Sequence, residues 1–256
     1  MKKHEIFNLT LTLTCIIMFN ACSTPQIPKV FGHRGAKGHV AENTLPSIAK
    51  ALDLGVDGVE IDVYKCASGE LVVFHDQTLD KLTNASGYIE QLDLDSIQKI
   101  EVLGGHIIPT LNEVLDLIDA RVILNIELKG TQTSLLTHEL LQIYFDNGNW
   151  KPNQILISSF NWKELELFYE INKEVPLAVL TEDDPLDALS TALSIKAEAI
   201  NPYFKTLNTS NVKKMKKAGF KIYAWTINDP KDIEKMLALE VDAIISDFPE
   251  RIKAFN

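Results

Sequence analysis

Apolar positions along this chain follow two periods. Short β-branched runs alternate with stretches in which apolar residues return every three or four positions, the sequence form of strand–helix units around a parallel sheet. Nine strands are predicted: Val30–Arg34, Val59–Tyr64, Leu71–His75, Val122–Lys129, Ile155–Phe160, Leu177–Leu180, Ala199–Asn201, Ile222–Ile227 and Ala243–Asp247. A (β/α)8 barrel has room for eight. The segment Lys65–Glu70 is too short for a parallel crossover, so the second and third candidates either form a hairpin or are not neighbours. The stretch from Gln77 to Ile108 fits no barrel repeat and is expected as an insertion over the rim, where long insertions often act as lids. The predicted fold class is α/β: a single (β/α)8 TIM barrel over residues 30–256, with a small insertion at about 77–108 over its C-terminal rim.

The helical patterns mark their own ends. In the first, Asn43 or Thr44 is placed to cap, Pro46 sits in the first turn, Leu45, Ile48 and Leu52 share a face, and Gly55 stops it. Between Thr209 and Ala218, Val212 and Met215 face inward, four lysines form a wet face, and Gly219 terminates the helix.

Strand alternation carries the chemistry. Val59, Ile61 and Val63 occupy one face of their strand, leaving Glu60 and Asp62 on the other. In the run from Val122 to Lys129 the apolar positions Val122, Leu124, Ile126 and Leu128 oppose Asn125, Glu127 and Lys129. With the apolar sets against the helices, three carboxylates and an ammonium converge on the barrel mouth. One such carboxylate is commonly half of a surface ion pair, but three from two strands leave buried negative charge that one lysine does not neutralise. A hard divalent cation with oxygen ligands does. His33, followed by Arg34, and His75, followed by Asp76, close two other strands at the end where barrel enzymes keep their catalytic groups, which points to acid and base roles. Glu60, Asp62 and Glu127 against Arg34 and Lys129 leave the site one negative charge in excess, so an anionic substrate requires the cation.

Composition narrows the choice further. The chain has 256 residues, 46% hydrophobic and 23% charged, ordinary values for a globular protein. Its formal charge of −10 makes it a poor general binder of nucleic acid or anionic surfaces, so no nucleic-acid partner is expected.

At these positions the sequence resembles the glycerophosphodiester phosphodiesterase family, from about Phe31 to Pro249. The resemblance runs through Gly32-His-Arg-Gly35, Glu42-Asn-Thr44, Glu60-Ile-Asp62, Phe74-His-Asp76, Leu79-Asp80, Thr83-Asn84, Glu127-Leu-Lys129, Ser159-Phe160, Ala224-Trp-Thr226 with Asn228, and Ser246-Asp247 with Pro249. It implies metal-dependent hydrolysis of glycerophosphodiesters to glycerol 3-phosphate and an alcohol, part of lipid and glycerol metabolism. By the same resemblance Glu60, Asp62 and Glu127 bind Mg2+ or Ca2+, His33 and His75 exchange the roles of general acid and base, and Arg34 and Lys129 hold the phosphoryl oxygens. Glu42 is implied as support for the metal or for His33, or as a ligand. Phe160 and Trp225 resemble aromatic residues that flank the substrate, though both also read as core, and alternation leaves the direction of Trp225 open. The resemblance also implies that the reaction can pass through a cyclic phosphate, formed by attack of the substrate's own glycerol hydroxyl, and this route is preferred because no rim residue reads as a protein nucleophile: Ser159 lacks a base partner and Cys66 lies outside the motifs. Ala41 stands where the family usually has proline, and Lys65-Cys66-Ala67 where a polar turn is usual. Alternative readings are a phosphodiesterase of intact phospholipid or of a glycerophosphate polymer, and a non-catalytic binding barrel.

The N-terminus has its own pattern. Lys2 and Lys3 precede an apolar stretch from Leu9 to Phe19 too short to span a bilayer, and Ala21-Cys22 resembles a lipoprotein processing site. Residues 1–21 are expected as the signal, Cys22 as the lipidated residue and 22–29 as a tether. The expected location is exported and membrane-anchored through the N-terminal lipid, on the periplasmic or cell-surface side; the alternative is a secreted soluble protein. Cleavage moves the formal charge from −10 to −11, and acylation of Cys22 leaves Cys66 without a disulfide partner.

Overall fold

The computed structural model describes residues 27–255. The expected signal, the lipidation site Cys22 and the tether as far as residue 26 lie outside the described residues. Eight strands pair in parallel and in chain order: β1 (Lys29–His33), β2 (Gly58–Lys65), β3 (Ile123–Leu128), β4 (Ile155–Ser159), β5 (Leu177–Thr181), β6 (Ala199–Pro202), β7 (Lys221–Ala224) and β8 (Ala243–Ser246). Because β1 bonds both β8 and β2, the sheet closes into the expected barrel.

The ninth predicted strand is the second arm of a hairpin. Leu71–Val73 runs antiparallel to the end of β2, with Val63 opposite Val73 and Lys65 opposite Leu71. The reason lies in strand length. Pairing of β1 with β2 stops at His33 and Glu60, whereas β3 follows β2 as far as Val63. The upper edge of β2 is therefore open, and the returning strand satisfies it.

The crossovers are α1 (Leu45–Asp53), α2 (Leu111–Ile118), α3 (Thr133–Asp146), α4 (Trp162–Ile171), α5 (Leu189–Ser194), α6 (Thr209–Lys217) and α7 (Pro230–Ala238), with α8 (Glu250–Lys253) after the last strand. In α1 the cap is Thr44, whose hydroxyl accepts from Ser47 N, while Asn43 turns away to a carboxylate described below. In α6, Asn208 and Asn211 cap each other reciprocally, and Val212 and Met215 are buried.

Alternation divides the apolar residues into two cores. Val59, Ile61, Val63, Leu124, Ile126 and Leu128 face outward into the layer between sheet and helices. Inside the barrel Phe31, Leu156, Tyr223 and Ile245 interleave with the small Ala178, Ala199 and Ala243, which lets large rings cross a narrow interior. A third core belongs to the insertion. Leu79, Ile89, Ile97, Ile100, Val102 and Ile108 pack against the hairpin through Tyr64, Cys66, Val72 and Phe74, with a short antiparallel pair, Glu101–Val102 and His106–Ile107, at one end. None of residues 77–108 lines the cavity in the barrel mouth. The insertion stands beside the mouth, and its apolar residues are largely used in folding itself.

Gly58 begins β2 against the ring of the fully buried Phe31, so a β-carbon there would overlap the ring. Gly58→Ala should lower the unfolding free energy by about 1–3 kcal/mol through overpacking, measured by urea denaturation; unchanged stability would mean that the barrel floor repacks freely.

Candidate active site

Register between β2 and β3 creates the site. Glu60 pairs with Asn125 and Asp62 with Glu127, so their side chains stand side by side on the inner face. Oxygens of Glu60, Asp62 and Glu127 lie within 4.8 Å of one another, and the three residues are 4%, 0% and 8% exposed. Cations and amides surround them. Lys129 Nζ is 2.9 Å from Glu127 and 3.7 Å from Asp62; Arg34 Nε is 3.3 Å from Asp62. Asn43 donates to Asp62 Oδ2 at 2.8 Å. Arg34 has a φ of +51°, and its backbone N–H donates to Glu60 Oε2 at 2.9 Å. The next residue, Gly35, has a φ of +86° and abuts Ser47 so closely that a β-carbon would collide.

The oxygens of Glu42 are taken by Arg34 Nη1 and, at 3.0 Å, by Lys37. Its carboxylate belongs to the surroundings of Arg34. Glu42 and Lys37 cancel formally, so the excess of one negative charge read from the sequence persists.

That excess appears in the acidities. Burial, then the charges of Asp62 and Glu127, push the Glu60 carboxyl well above its usual range. Burial and Asp62 raise Glu127 to about 7, against the pull of Lys129. For Asp62 burial also opposes ionisation, but Arg34, Lys129 and His75 outweigh it and hold the group low. Asp62 Oδ1 is buried without a hydrogen-bond donor. Three hard oxygen donors, two of them resisting ionisation for want of positive charge and one unpartnered, fit a divalent cation.

Two histidines face the same cavity. His33 Nδ1 lies 2.6 Å from Asp247 Oδ1, and Asn228 donates to Asp247 Oδ2 at 2.7 Å while its own oxygen accepts from Asp247 N. His75 Nδ1 lies 2.6 Å from Asp76 Oδ1. Each carboxylate fixes a proton on Nδ1 and leaves Nε2 free; His33 Nε2 is 4.0 Å from Glu60 Oε2. Burial lowers the pKa of both rings, against the hydrogen bond that His33 donates to Asp247 and, for His75, against the charge of Asp62 and the bond its ring donates to Asp76. Asp247 and Asn228 carry no role in the sequence reading, although both fall inside motif segments. They lie in loops after β8 and β7, where alternation gives no direction.

The opposite wall is aromatic and apolar. Trp225 points into the cavity, with Nε1 donating to Asn201 O at 2.8 Å, and meets Phe160 edge-to-face at 5.4 Å. Lys129 Nζ lies 5.9 Å from the Phe160 ring centroid. Ser159 is spoken for, its hydroxyl donating to Leu128 O at 2.6 Å. Cys66 is buried under the insertion, a free thiol among the described residues.

Comparison with known proteins gives a consistent result. The sequence model described as the Glycerophosphoryl diester phosphodiesterase family matches residues 33–251. A glycerophosphodiester phosphodiesterase of Caldanaerobacter subterraneus subsp. tengcongensis is 33% identical over 232 residues, 87% of this chain and 95% of that one. One from Bacillus altitudinis is 32% identical over 235 residues, covering 87% and 96%. Among solved structures, an Oleispira antarctica phosphodiesterase in complex with the product sn-glycerol-3-phosphate superposes with a TM-score of 0.82 at 28% identity, covering 89% of this chain and 96% of that one.

The raised acidities set a pH dependence for metal binding. Glu127 moves from its ordinary 4.5 to about 7 and Glu60 moves in the same direction, so the metal-free folded protein holds protons that the unfolded chain has lost. These groups favour the metal-free fold below about pH 4.5, and that contribution disappears as pH rises through about 7. A divalent cation should therefore displace protons near pH 7, bind more weakly as pH falls, and raise the melting temperature most at neutral pH. Calorimetry in buffers of different ionisation enthalpy reads the protons directly; binding with no proton release would contradict this assignment.

Proposed function

The chain belongs to the glycerophosphoryl diester phosphodiesterase family, and from that premise we propose how its rim residues divide the hydrolysis of glycerophosphodiesters to glycerol 3-phosphate and an alcohol. The enzyme is a phosphoric diester hydrolase. The observation that carries the division of roles is that two histidines, each with Nδ1 held by its own carboxylate, open on one cavity beside the buried triad.

Glu60, Asp62 and Glu127 hold Mg2+ or Ca2+, which when bound supplies positive charge for the diester and for the negative charge that grows on the phosphoryl oxygens. Arg34 and Lys129 orient those oxygens, and both remain cationic because the neighbouring carboxylates hold their protons in place. The neighbouring hydroxyl of the substrate's glycerol is the nucleophile. One histidine takes its proton through Nε2 while the other protonates the departing alcohol, giving a cyclic phosphate. Water then opens the ring with the two roles reversed, since the group that gave its proton is now the base. Asp247 and Asp76 keep each ring in the tautomer this exchange needs. Phe160 and Trp225 shield the organic part of the substrate from water. Glu42 serves by holding Arg34.

The N-terminal pattern of Lys2, Lys3, Leu9–Phe19 and Ala21-Cys22 supports export and anchoring through a lipid on Cys22, with a small soluble diester as substrate on the outer side of the membrane. Cys22→Ala should move the protein from the membrane fraction to the soluble one and remove incorporation of labelled fatty acid; continued membrane retention would count against the anchor.

His33→Ala and His75→Ala should each reduce turnover by at least about a hundredfold while the far-ultraviolet circular dichroism spectrum is retained. Chelation should abolish glycerol 3-phosphate release from glycerophosphocholine, glycerophosphoethanolamine and glycerophosphoglycerol, and added metal should restore it. Near-normal rates in either histidine variant would remove its assigned role, and equal rates on diesters without the neighbouring hydroxyl would exclude the cyclic route.

A further inference from the structure

Two neutral polar residues inside the barrel have no part in the chemistry above. Asn125 on β3 and Ser158 on β4 face inward, are 1% and 0% exposed, and line the cavity. Asn125 is the register partner of Glu60, and Ser158 that of Glu127, so each stands directly beside a member of the triad. Ser158 Oγ donates to Asn125 Oδ1 at 2.9 Å. That bond leaves the Asn125 NH2 group to donate and the Ser158 oxygen to accept.

A third side chain extends the arc. Asn201 on β6 pairs in register with Leu180, two residues beyond the inward-facing Ala199, so its side chain also points into the barrel. It is fully buried, and neither Nδ2 nor Oδ1 has a hydrogen-bond partner. Buried amides of this kind are normally satisfied; Asn201 does not itself line the cavity, so its free atoms mark an unmet polar demand in the barrel interior and not a contact of the cavity wall.

The chemistry of the guest follows from what surrounds it. Every charged group in the cavity is engaged with the cation, the phosphoryl oxygens or proton transfer. What remains is a neutral donor and acceptor set on one side and Leu180, Ile245 and Trp225 on the other. Neutral dipoles do not replace the hydration of an ion, so an ammonium headgroup finds no counter-charge there. A hydroxyl both donates and accepts, and the C–H face of a small polyol suits the apolar wall.

We propose that the Asn125–Ser158 pair is the subsite for the terminal hydroxyl of the substrate's glycerol. It selects diesters that carry glycerol on this side of the phosphorus. The assignment rests on the phosphodiesterase reading above: the neighbouring hydroxyl is used in attack, and the terminal one is the polar group left to be recognised.

The test compares two chromogenic diesters, glyceryl p-nitrophenyl phosphate and 2-hydroxypropyl p-nitrophenyl phosphate. The second keeps the attacking hydroxyl and lacks only the terminal one. The metal-loaded wild type should favour the glyceryl diester by at least about tenfold in kcat/KM. Asn125→Leu and Ser158→Ala should each bring that ratio to within about threefold of unity. A disturbance of the triad or the histidines slows both substrates together and does not change the ratio, which separates a recognition role from a structural one. A wild-type ratio near one, or a wild-type ratio retained in folded Ser158→Ala, overturns the proposal. If Asn125→Leu does not fold, Ser158→Ala decides alone, since it removes a single hydroxyl. If the wild type with metal hydrolyses neither diester, it is the phosphodiesterase reading that fails, and the subsite falls with it.

Discussion

Three carboxylates held together at one end of a barrel, out of water and close enough to repel, are the constraint around which this protein is arranged. The parallel register of β2 and β3 forces them together, because Asp62 and Glu127 are partners and Glu60 lies one inward position below. Left alone, such a cluster would oppose folding. Lys129 and Arg34 answer part of the charge, Asn43 and the Arg34 backbone answer part of the hydrogen bonding, and the remainder is expressed as raised acidities in Glu60 and Glu127. The destabilisation left over is what makes the site receptive to a cation: the same repulsion that strains the metal-free state supplies differential affinity on binding.

The rest of the fold holds this cluster rigid and keeps it accessible. Below it, Phe31, Leu156 and Tyr223 plug the barrel against small alanines, so the site has a solid floor. Above it, the two histidines arrive from different kinds of segment. His75 comes from the end of the hairpin and is braced by its sequence neighbour Asp76. His33 comes from β1 and is braced by Asp247, from the far end of the chain, which Asn228 fixes in turn. The second brace exists only because β1 and β8 pair, so closure of the barrel and orientation of His33 are one event. A change that loosens the β1–β8 seam should therefore be felt in proton transfer before it is felt in the triad.

Much of this was legible in the sequence because it depends on local periodicity. All nine strand signals correspond to real strands, and alternation by itself places Glu60, Asp62, Glu127 and Lys129 on one inner face. The sequence alone leaves two readings for the hairpin, since the open upper edge of β2 is a property of its neighbours' lengths and not of its own residues. The sequence leaves the direction of Trp225 open because it lies just past the regular part of β7, held by a single bridge to Tyr203, and its indole is oriented by the Asn201 carbonyl. The insertion is legible as an extra segment at the rim, but that it leaves the cavity uncovered follows from its apolar residues having a core of their own to fill.

The sequence by itself determined the barrel, the inner acidic strip and the two rim histidines, because side-chain direction in a strand has a fixed period of two and chain order sets parallel neighbours. Only the tertiary structure decided which groups at the mouth belong to one another: Asp247 with His33, Glu42 with Arg34, Asn43 with Asp62, and Ser158 with Asn125. The physical reason is that these partnerships fall within a loop, join a loop to another segment, or join different strands, where no periodicity links the residues. They form because each buried polar group must find a partner within about 3 Å of wherever the closed barrel has put it.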